Sequence, residues 1–161
     1  MNVTSTVMIS MARRFEARPE RVFEAWVRPE GMKKWLFTSE ATNKLVKNDL
    51  QVGGMWEIVD HRDGTDYRAI GEYQEIRQPN KLVFTFELPQ FNNAVDIVRV
   101  TISEVREATE MLFTQEIVVP HEEGWSDEDA KKNLAEFGTQ TEEGWSQMFD
   151  RLKQLVEGTV N

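Results

Sequence analysis

The sequence predicts an α+β fold in which a curved antiparallel sheet packs against one long C-terminal helix. Between residues 54 and 119, strand-like runs follow one another through short turns, which favours an antiparallel meander over parallel crossovers. After these runs, large apolar side chains recur at helical spacing. They are Leu134, Phe137, Trp145, Met148, Leu152 and Leu155. A helix with such a stripe has to bury it against the sheet.

The N-terminal third predicts a strand followed by two short helices. Apolar side chains within residues 5–16 alternate onto one face, as they do in a strand. The helices are predicted over 19–27 and 29–34, and each begins with a proline, whose missing N–H costs nothing in a first helical turn. Two short helices bury little surface by themselves, so we expect them to cap the open end of the sheet.

Six further strands are predicted, which gives a sheet of about six or seven strands. The first is weak and covers residues 40–46. The pair that follows is joined by Asp63-Gly64, a strong hairpin signal. Alternating apolar residues then mark the remaining strands. These five strands are centred on 55–61, 67–76, 82–88, 98–102 and 111–117.

The C-terminal helix carries recognisable signals for its ends. Ser126 is a suitable N-cap, because three acidic residues follow it and complement the helix dipole. Gly158 suits the C-terminal cap. Thr139 and Glu142 form a second capping-box pattern directly after Gly138, which predicts a break or restart of the helix there.

Length and composition indicate a globular protein with a substantial core. The chain has 161 residues, of which 40% are apolar, and we expect a single domain over residues 1–161. It contains no cysteine, so disulfides and thiolate chemistry are excluded. We find no signal-peptide pattern and no apolar run of about 18 residues. A cytoplasmic location is therefore the expectation, with no membrane partner.

The negative charge is concentrated in the C-terminal third. Residues 1–106 contain 15 basic and 15 acidic side chains, whereas residues 107–161 contain 4 and 13 and carry the whole net charge of −9. Such a surface repels nucleic acid and anionic lipid, so neither is an expected partner. The acidic face either serves solubility or docks onto a basic protein surface.

Histidine and carboxylate patterns do not assemble a catalytic or metal site. His61 and His121 each lack a second ligand or a triad context, and both are interpreted as exposed loop residues. The ordinary acidic content of a turn explains Asp60, Asp63 and Asp66. We therefore predict no catalytic residue, metal or cofactor.

Strand alternation sorts the charged and polar residues in the middle of strands. It places Arg99 and Glu116 on the outer face of the sheet and predicts Gln115 as the polar group on the inner face. A buried amide needs a hydrogen-bond partner, and a structural partner or water is favoured over a ligand.

Aromatic side chains are numerous for a thin sheet covered by one helix. Rings of this size leave irregular gaps when they pack, so the sequence predicts a dry cavity between sheet and helix. For each ring taken singly, a place in the plain core is the favoured interpretation. The predicted walls are Trp35, Phe37, Trp56, Phe84, Phe86, Phe113, Trp145 and Phe149, with Tyr73 and Gln115 as polar handles.

Several local strings, taken in order, resemble a known family. They are RRFEARPERVFEAWVRPEGMKKW (13–35), VGGMWEI (52–58), GEYQEIRQPNKLVFTF (71–86), TEMLFTQE (109–116) and EGWSQMFDRLKQL (143–155). The chain resembles the SRPBCC superfamily with its START-like helix-grip fold. Within that superfamily it is similar to the family named after the C-terminal domain of the activator of the Hsp90 chaperone ATPase.

The resemblance implies three functions that remain open at this point. Relatives bind hydrophobic small molecules, and this non-catalytic role is our first hypothesis. The second is a chaperone-accessory domain of the stress response, although the chaperone-activating members carry an additional N-terminal domain that we do not expect here. More distant relatives are cyclases or hydrolases, a role in which Glu72 or Glu116 would serve as acid or base.

The first strand, over residues 5–16, is expected to be an exposed edge of the sheet and therefore offers a surface for a homodimer.

Overall fold

Seven antiparallel strands form one curved sheet in the computed structural model, which describes residues 4–91 and 94–158. The strands are β1 (Thr4–Phe15), β2 (Asn43–Asn48), β3 (Met55–Arg62), β4 (Thr65–Arg77), β5 (Lys81–Phe86), β6 (Asp96–Val105) and β7 (Ala108–Pro120). The helices within the described residues are α1 (Pro19–Val27), α2 (Pro29–Trp35) and α3 (Asp127–Glu157). The predicted α+β fold is confirmed, and the weak strand expected over 40–46 lies slightly later, at β2.

The strand order is β1-β7-β6-β5-β4-β3-β2, so β2 to β7 form the predicted meander. The first strand joins β7 at one edge, with Ile9 directly opposite Gln115. Helices α1 and α2 carry the chain from that edge to the other, where β2 begins. This path lays the two short helices across the concave face of the sheet and fixes which part of that face they cover.

Helix α3 is continuous over 31 residues, which corrects the predicted break near Gly138. Ser126 caps it as expected, since its hydroxyl accepts from the Asp129 backbone N–H and the Asp129 carboxylate accepts from the Ser126 N–H. Gly138 instead lies buried where the helix crosses β1, with Val7 and Ile9 facing it. No described helix is long and apolar enough to span a bilayer.

The apolar stripe of α3 is buried mainly in its C-terminal half. Trp145, Met148 and Leu152 are buried as predicted. Phe137 is not, because 42% of its surface is exposed, and this corrects its assignment to the buried stripe. The sheet and helix therefore pack closely at one end and leave side chains uncovered nearer the start of α3.

Candidate functional site

The interior beneath α1 and α2 is filled by packed rings. Trp26 lies at its centre, with ring centroids 4.7 Å from Trp35 and 5.9 Å from Trp145. The Phe113 and Trp145 rings are 4.5 Å apart. Rings at these separations make direct edge and face contacts that leave no room for a ligand.

Six of the ten predicted ligand-binding residues lie in this packed interior. None of the six is more than 3% exposed. They are Trp35, Trp56, Tyr73, Phe84, Phe113 and Phe149. Burial also raises the pKa of the Tyr73 hydroxyl, so that group stays protonated throughout the physiological range. The structure therefore places these side chains in the core, although Trp56 also borders a pocket that Lys47, Met55 and Ile70 help to line.

The other four predicted residues line an open cavity nearer the start of α3. Phe37, Phe86, Gln115 and Trp145 surround a space of about 230 Å³, which we term the apolar lobe. Leu88, Ile117, Phe137 and Met148 complete most of its wall. The partly exposed ring of Phe137 thus forms part of the rim of this space.

The apolar lobe has one polar chain of hydrogen bonds at its base. Trp145 Nε1 donates to Gln115 Oε1 at 2.6 Å, and Gln115 Nε2 donates to Asp96 Oδ2 at 3.0 Å. The other Asp96 oxygen accepts from the Val118 N–H at 2.9 Å. The prediction that Gln115 faces inward and finds a structural partner is confirmed. Its amide orientation is fixed because each end has its own partner.

Asp96 is the acidic group of the apolar lobe and was missed from the sequence. Burial raises the pKa of its carboxyl, and hydrogen bonds from Val118 and Gln115 oppose that effect in part. Strand alternation could have identified this position, because Asp96 shares a face of its strand with the buried Val98.

Glu116, which the sequence offered as a possible acid or base, lies on the outer face of the sheet, with its carboxylate 3.9 Å from Arg99. Glu72 is also exposed.

A second space of about 470 Å³ adjoins the first, and we term it the polar lobe. The two lobes share Phe37, Leu88, Gly144 and Met148 as walls. The size of the polar lobe lies within the range of roughly 300–1,000 Å³ that is usual for small-molecule sites. The two lobes are thus neighbouring spaces between the sheet and the middle of α3, one mainly apolar and one lined by more polar side chains.

Asp60 is the buried carboxylate of the polar lobe, at 4% exposure. One of its oxygens accepts from the hydroxyls of Thr38 at 2.8 Å and Thr42 at 2.5 Å, and the other lies 2.6 Å from Arg62 Nε. The Arg62 guanidinium also lies 4.5 Å above the Tyr67 ring. The interpretation of Asp60 as an ordinary turn residue is therefore wrong. It lies in β3, and both of its carboxylate oxygens have partners in the protein.

Arg151 projects into the polar lobe from α3, one turn after Met148. Its Nη2 donates to the Trp35 carbonyl at 3.2 Å. Its Nε is shielded from solvent and has no hydrogen-bond partner, and no described carboxylate pairs with the guanidinium. Helical spacing from Met148 and Leu155 could have signalled this position, because residues three and four apart share a face.

Phe37 separates the two lobes and has a strained backbone. Its φ of 58° lies in the left-handed region, which is a real outlier for a bulky side chain. Its ring stacks on Phe86 at 4.6 Å and meets Trp145 edge-on at 5.1 Å. Its N–H donates to the Met148 sulfur at 3.2 Å. Strain of this kind costs of order 1–3 kcal/mol and persists only where surrounding contacts hold it.

Both histidines lie away from the cavity. His61 Nδ1 is 2.6 Å from Asp66 on the exposed end of β3, rather than in a loop. His121 is half-buried and bonds through Nε2 to the Ser5 hydroxyl at 2.5 Å. The described residues contain no cluster of three or more side chains able to hold a metal ion.

Sequence comparison now identifies the family. The family model described as "Activator of Hsp90 ATPase homolog 1-like protein" matches residues 16–157. The chain belongs to this family. The resemblance seen in the sequence is therefore confirmed, and the matched span includes every residue of both lobes. No curated protein matches the sequence significantly.

Solved structures with the same fold come from several bacteria. SA2116 from Staphylococcus aureus, a protein of unknown function, is 27% identical with a TM-score of 0.90, and the match covers 96% of this chain and 95% of that one. CV1439 from Chromobacterium violaceum is 22% identical, with a TM-score of 0.73 and coverages of 94% and 98%. Ms6760 from Mycobacterium smegmatis is 20% identical, with a TM-score of 0.69 and coverages of 96% and 93%. The last two show similarity of fold alone.

Proposed function

We propose that this member of the family binds a small, mostly apolar molecule in the cavity between the sheet and α3, without transforming it. One observation carries the proposal: the apolar lobe is open, and contacts with neighbouring side chains already hold the rings that line it in position. Phe37 and Trp145 do not have to move to admit a ligand, so little ordering cost opposes binding. Apolar burial at about 25 cal/mol per Å² supplies the affinity.

The carboxylates that line the cavity favour binding over catalysis. Asp96 is held by Gln115 and Val118, and Asp60 is held by Thr38, Thr42 and Arg62. A general acid or base has to be within hydrogen-bond reach of its substrate. Both carboxylates accept hydrogen bonds from the protein, which gives them a structural role at the base of each lobe.

Gly144 offers a sharp test because it lines both lobes and has open space around its missing side chain. Gly144→Phe should fill the cavity, whereas Gly144→Ala adds one methyl group. Both changes favour the helix, with alanine contributing about 0.5–1 kcal/mol. The pair therefore separates blocked binding from damaged folding.

The experiment is a thermal shift with a panel of apolar acids, alcohols and aromatic compounds. A ligand at 100 times its Kd should raise the Tm of the wild type and of Gly144→Ala by about 5–10 °C. The same ligand should leave Gly144→Phe unshifted. A panel without any hit, or a hit that shifts Gly144→Phe equally, would contradict the proposal.

The family name favours a second candidate, a domain that docks onto a chaperone. Glu142 and Glu143 are exposed on α3 and would supply acidic contacts to a basic partner. Charge reversal of both residues should then abolish salt-sensitive capture of the chaperone and leave ligand shifts unchanged. Absent or salt-insensitive capture by the wild type would dismiss this candidate.

A further inference from the structure

We propose that the ligand is an apolar carboxylic acid and that Arg151 anchors its carboxylate in the polar lobe. This inference rests on the proposed function and specifies the chemical class of the ligand. The apolar lobe would hold the hydrocarbon part, and the adjoining polar lobe would hold the anionic end. The two lobes are adjacent, since Phe37 and Met148 line both, and an elongated molecule that passes the Phe37 ring would span them.

Arg151 has hydrogen-bonding capacity that the described protein does not use. One terminal nitrogen bonds the Trp35 carbonyl, but Nε is buried and has no partner. Because Nε is shielded from solvent, an anion in the polar lobe would meet the terminal nitrogens of the guanidinium, which no described carboxylate pairs with. A carboxylate matches the planar geometry of these donors.

The other charges around the polar lobe are already balanced. Asp60 pairs with Arg62 and accepts two further hydrogen bonds, so it does not neutralise Arg151. Arg68 reaches the lobe as well, but its guanidinium pairs with Glu57 at 2.8 Å. Arg151 therefore contributes one uncompensated positive charge to the lobe, in a chain whose net charge is −9.

The single charge favours a monoanion over a dianion. A carboxylate would be neutralised by Arg151 alone. A phosphate dianion would bring a second negative charge close to the buried carboxylate of Asp60, and no further free cation lines the lobe among the described residues. The balance of charge thus favours a monoanion, and among monoanions the proposal commits to a carboxylate, whose two oxygens match the planar donors of a guanidinium.

The test compares acids with alcohols of the same skeleton by titration calorimetry. The probes are octanoate with 1-octanol and 2-naphthoate with 2-naphthalenemethanol. Arg151→Gln should weaken binding of the acids about 10- to 100-fold, the effect of losing a charge-assisted hydrogen bond, and change alcohol binding less than twofold. Arg151→Lys should recover part of the acid affinity, because it restores the charge without the fork.

Arg14→Gln is the matched control, since Arg14 is an exposed arginine on β1 paired with Glu16. It should leave all four affinities unchanged. If Arg151→Gln binds the acids as tightly as the wild type does, Arg151 does not anchor the carboxylate. Binding of the alcohols in that case would still support the proposed function. Should Arg151→Gln fail to fold, Arg151→Lys decides: a loss of acid affinity of threefold or more supports the anchor, and no change overturns it. Failure of both acids and alcohols to bind the wild type would overturn the proposed function and the anchor together.

Discussion

The two ends of the space between sheet and α3 differ, although the same sheet and helix bound both. At one end, α1 and α2 insert Trp26 and Trp35 between the layers, and the rings meet at centroid distances down to 4.5 Å. At the other end no short helix intervenes, and the layers enclose the apolar and polar lobes. The short helices thus decide where this fold has a solid core and where it has a cavity.

The comparison also shows how similar residues acquire different roles. Phe113 and Phe86 both point inward from neighbouring parts of the sheet, but Phe113 is enclosed by other rings while Phe86 borders open space. Substitutions in the packed end should therefore mainly change stability. Substitutions in the open end should mainly change ligand binding.

The largest expected effect is that of Trp26→Ala in the packed interior. Removal of this buried ring should lower the free energy of unfolding by about 3–5 kcal/mol, since five neighbouring rings lose contact with it. Urea denaturation measures the change. A loss below about 1 kcal/mol would mean that the interior is loosely packed and that the two ends do not differ as described.

Gln115→Leu should have the next largest effect. Leucine has a similar volume but leaves the Trp145 N–H and one Asp96 oxygen without partners, which should cost about 1–3 kcal/mol. Gln147→Leu, an exposed residue on α3, is the control and should stay within about 0.5 kcal/mol of wild type. Equal unfolding free energies for the two variants would show that the hydrogen bonds of Gln115 do not contribute to stability.

The pH dependence of stability should reveal Asp96. Because burial raises its pKa above the ordinary 3.8, the folded state binds this proton more tightly than the unfolded state. Its contribution is therefore fully present below pH 3.8 and is lost as the pH rises through the raised pKa. The difference in unfolding free energy between wild type and Asp96→Asn should fall over that interval. A difference that rises with pH would contradict the assigned direction.

Phe137→Ala should have the smallest effect on stability. Its side chain is 42% exposed on the rim, so unfolding free energy should change by less than about 1 kcal/mol. Ligand affinity should nevertheless fall several-fold, because the ring walls the apolar lobe. Calorimetry and urea denaturation on the same sample separate the two effects. If Phe137→Ala lowers the free energy of unfolding but leaves ligand affinity unchanged, Phe137 supports the fold and does not form part of the binding site.

The arrangement of strands and helices was predictable because it is encoded in local patterns. Alternation indicated most of the strands and turned Gln115 inward, and proline marked the starts of α1 and α2. The strand predicted over 40–46 begins three residues later, at Asn43, because its residues show no clear alternation. The predicted break at Gly138 was wrong because a glycine inside a helix can also mark close packing, here against β1. Local capping patterns do not distinguish these two situations.

The candidate site was harder to predict because it depends on contacts between distant segments. Sequence patterns identify large inward rings, but they do not say which rings α1 and α2 will cover. Trp35 and Phe37 are two residues apart, yet only Phe37 reaches the cavity. Asp96 and Arg151 continue the strand and helix periodicities, but a pattern of apolar residues does not reveal charged side chains at such positions.

The most direct test of the central claim is a methyl NMR titration of protein labelled on its methionines. Met148 lines both lobes, whereas Met32 and Met111 are buried in the packed end. Titration with 2-naphthoate should shift the Met148 methyl signal progressively to saturation and leave the Met32 and Met111 signals in place. Shifts confined to Met32 and Met111, or an unmoved Met148 signal at saturating ligand, would contradict the account.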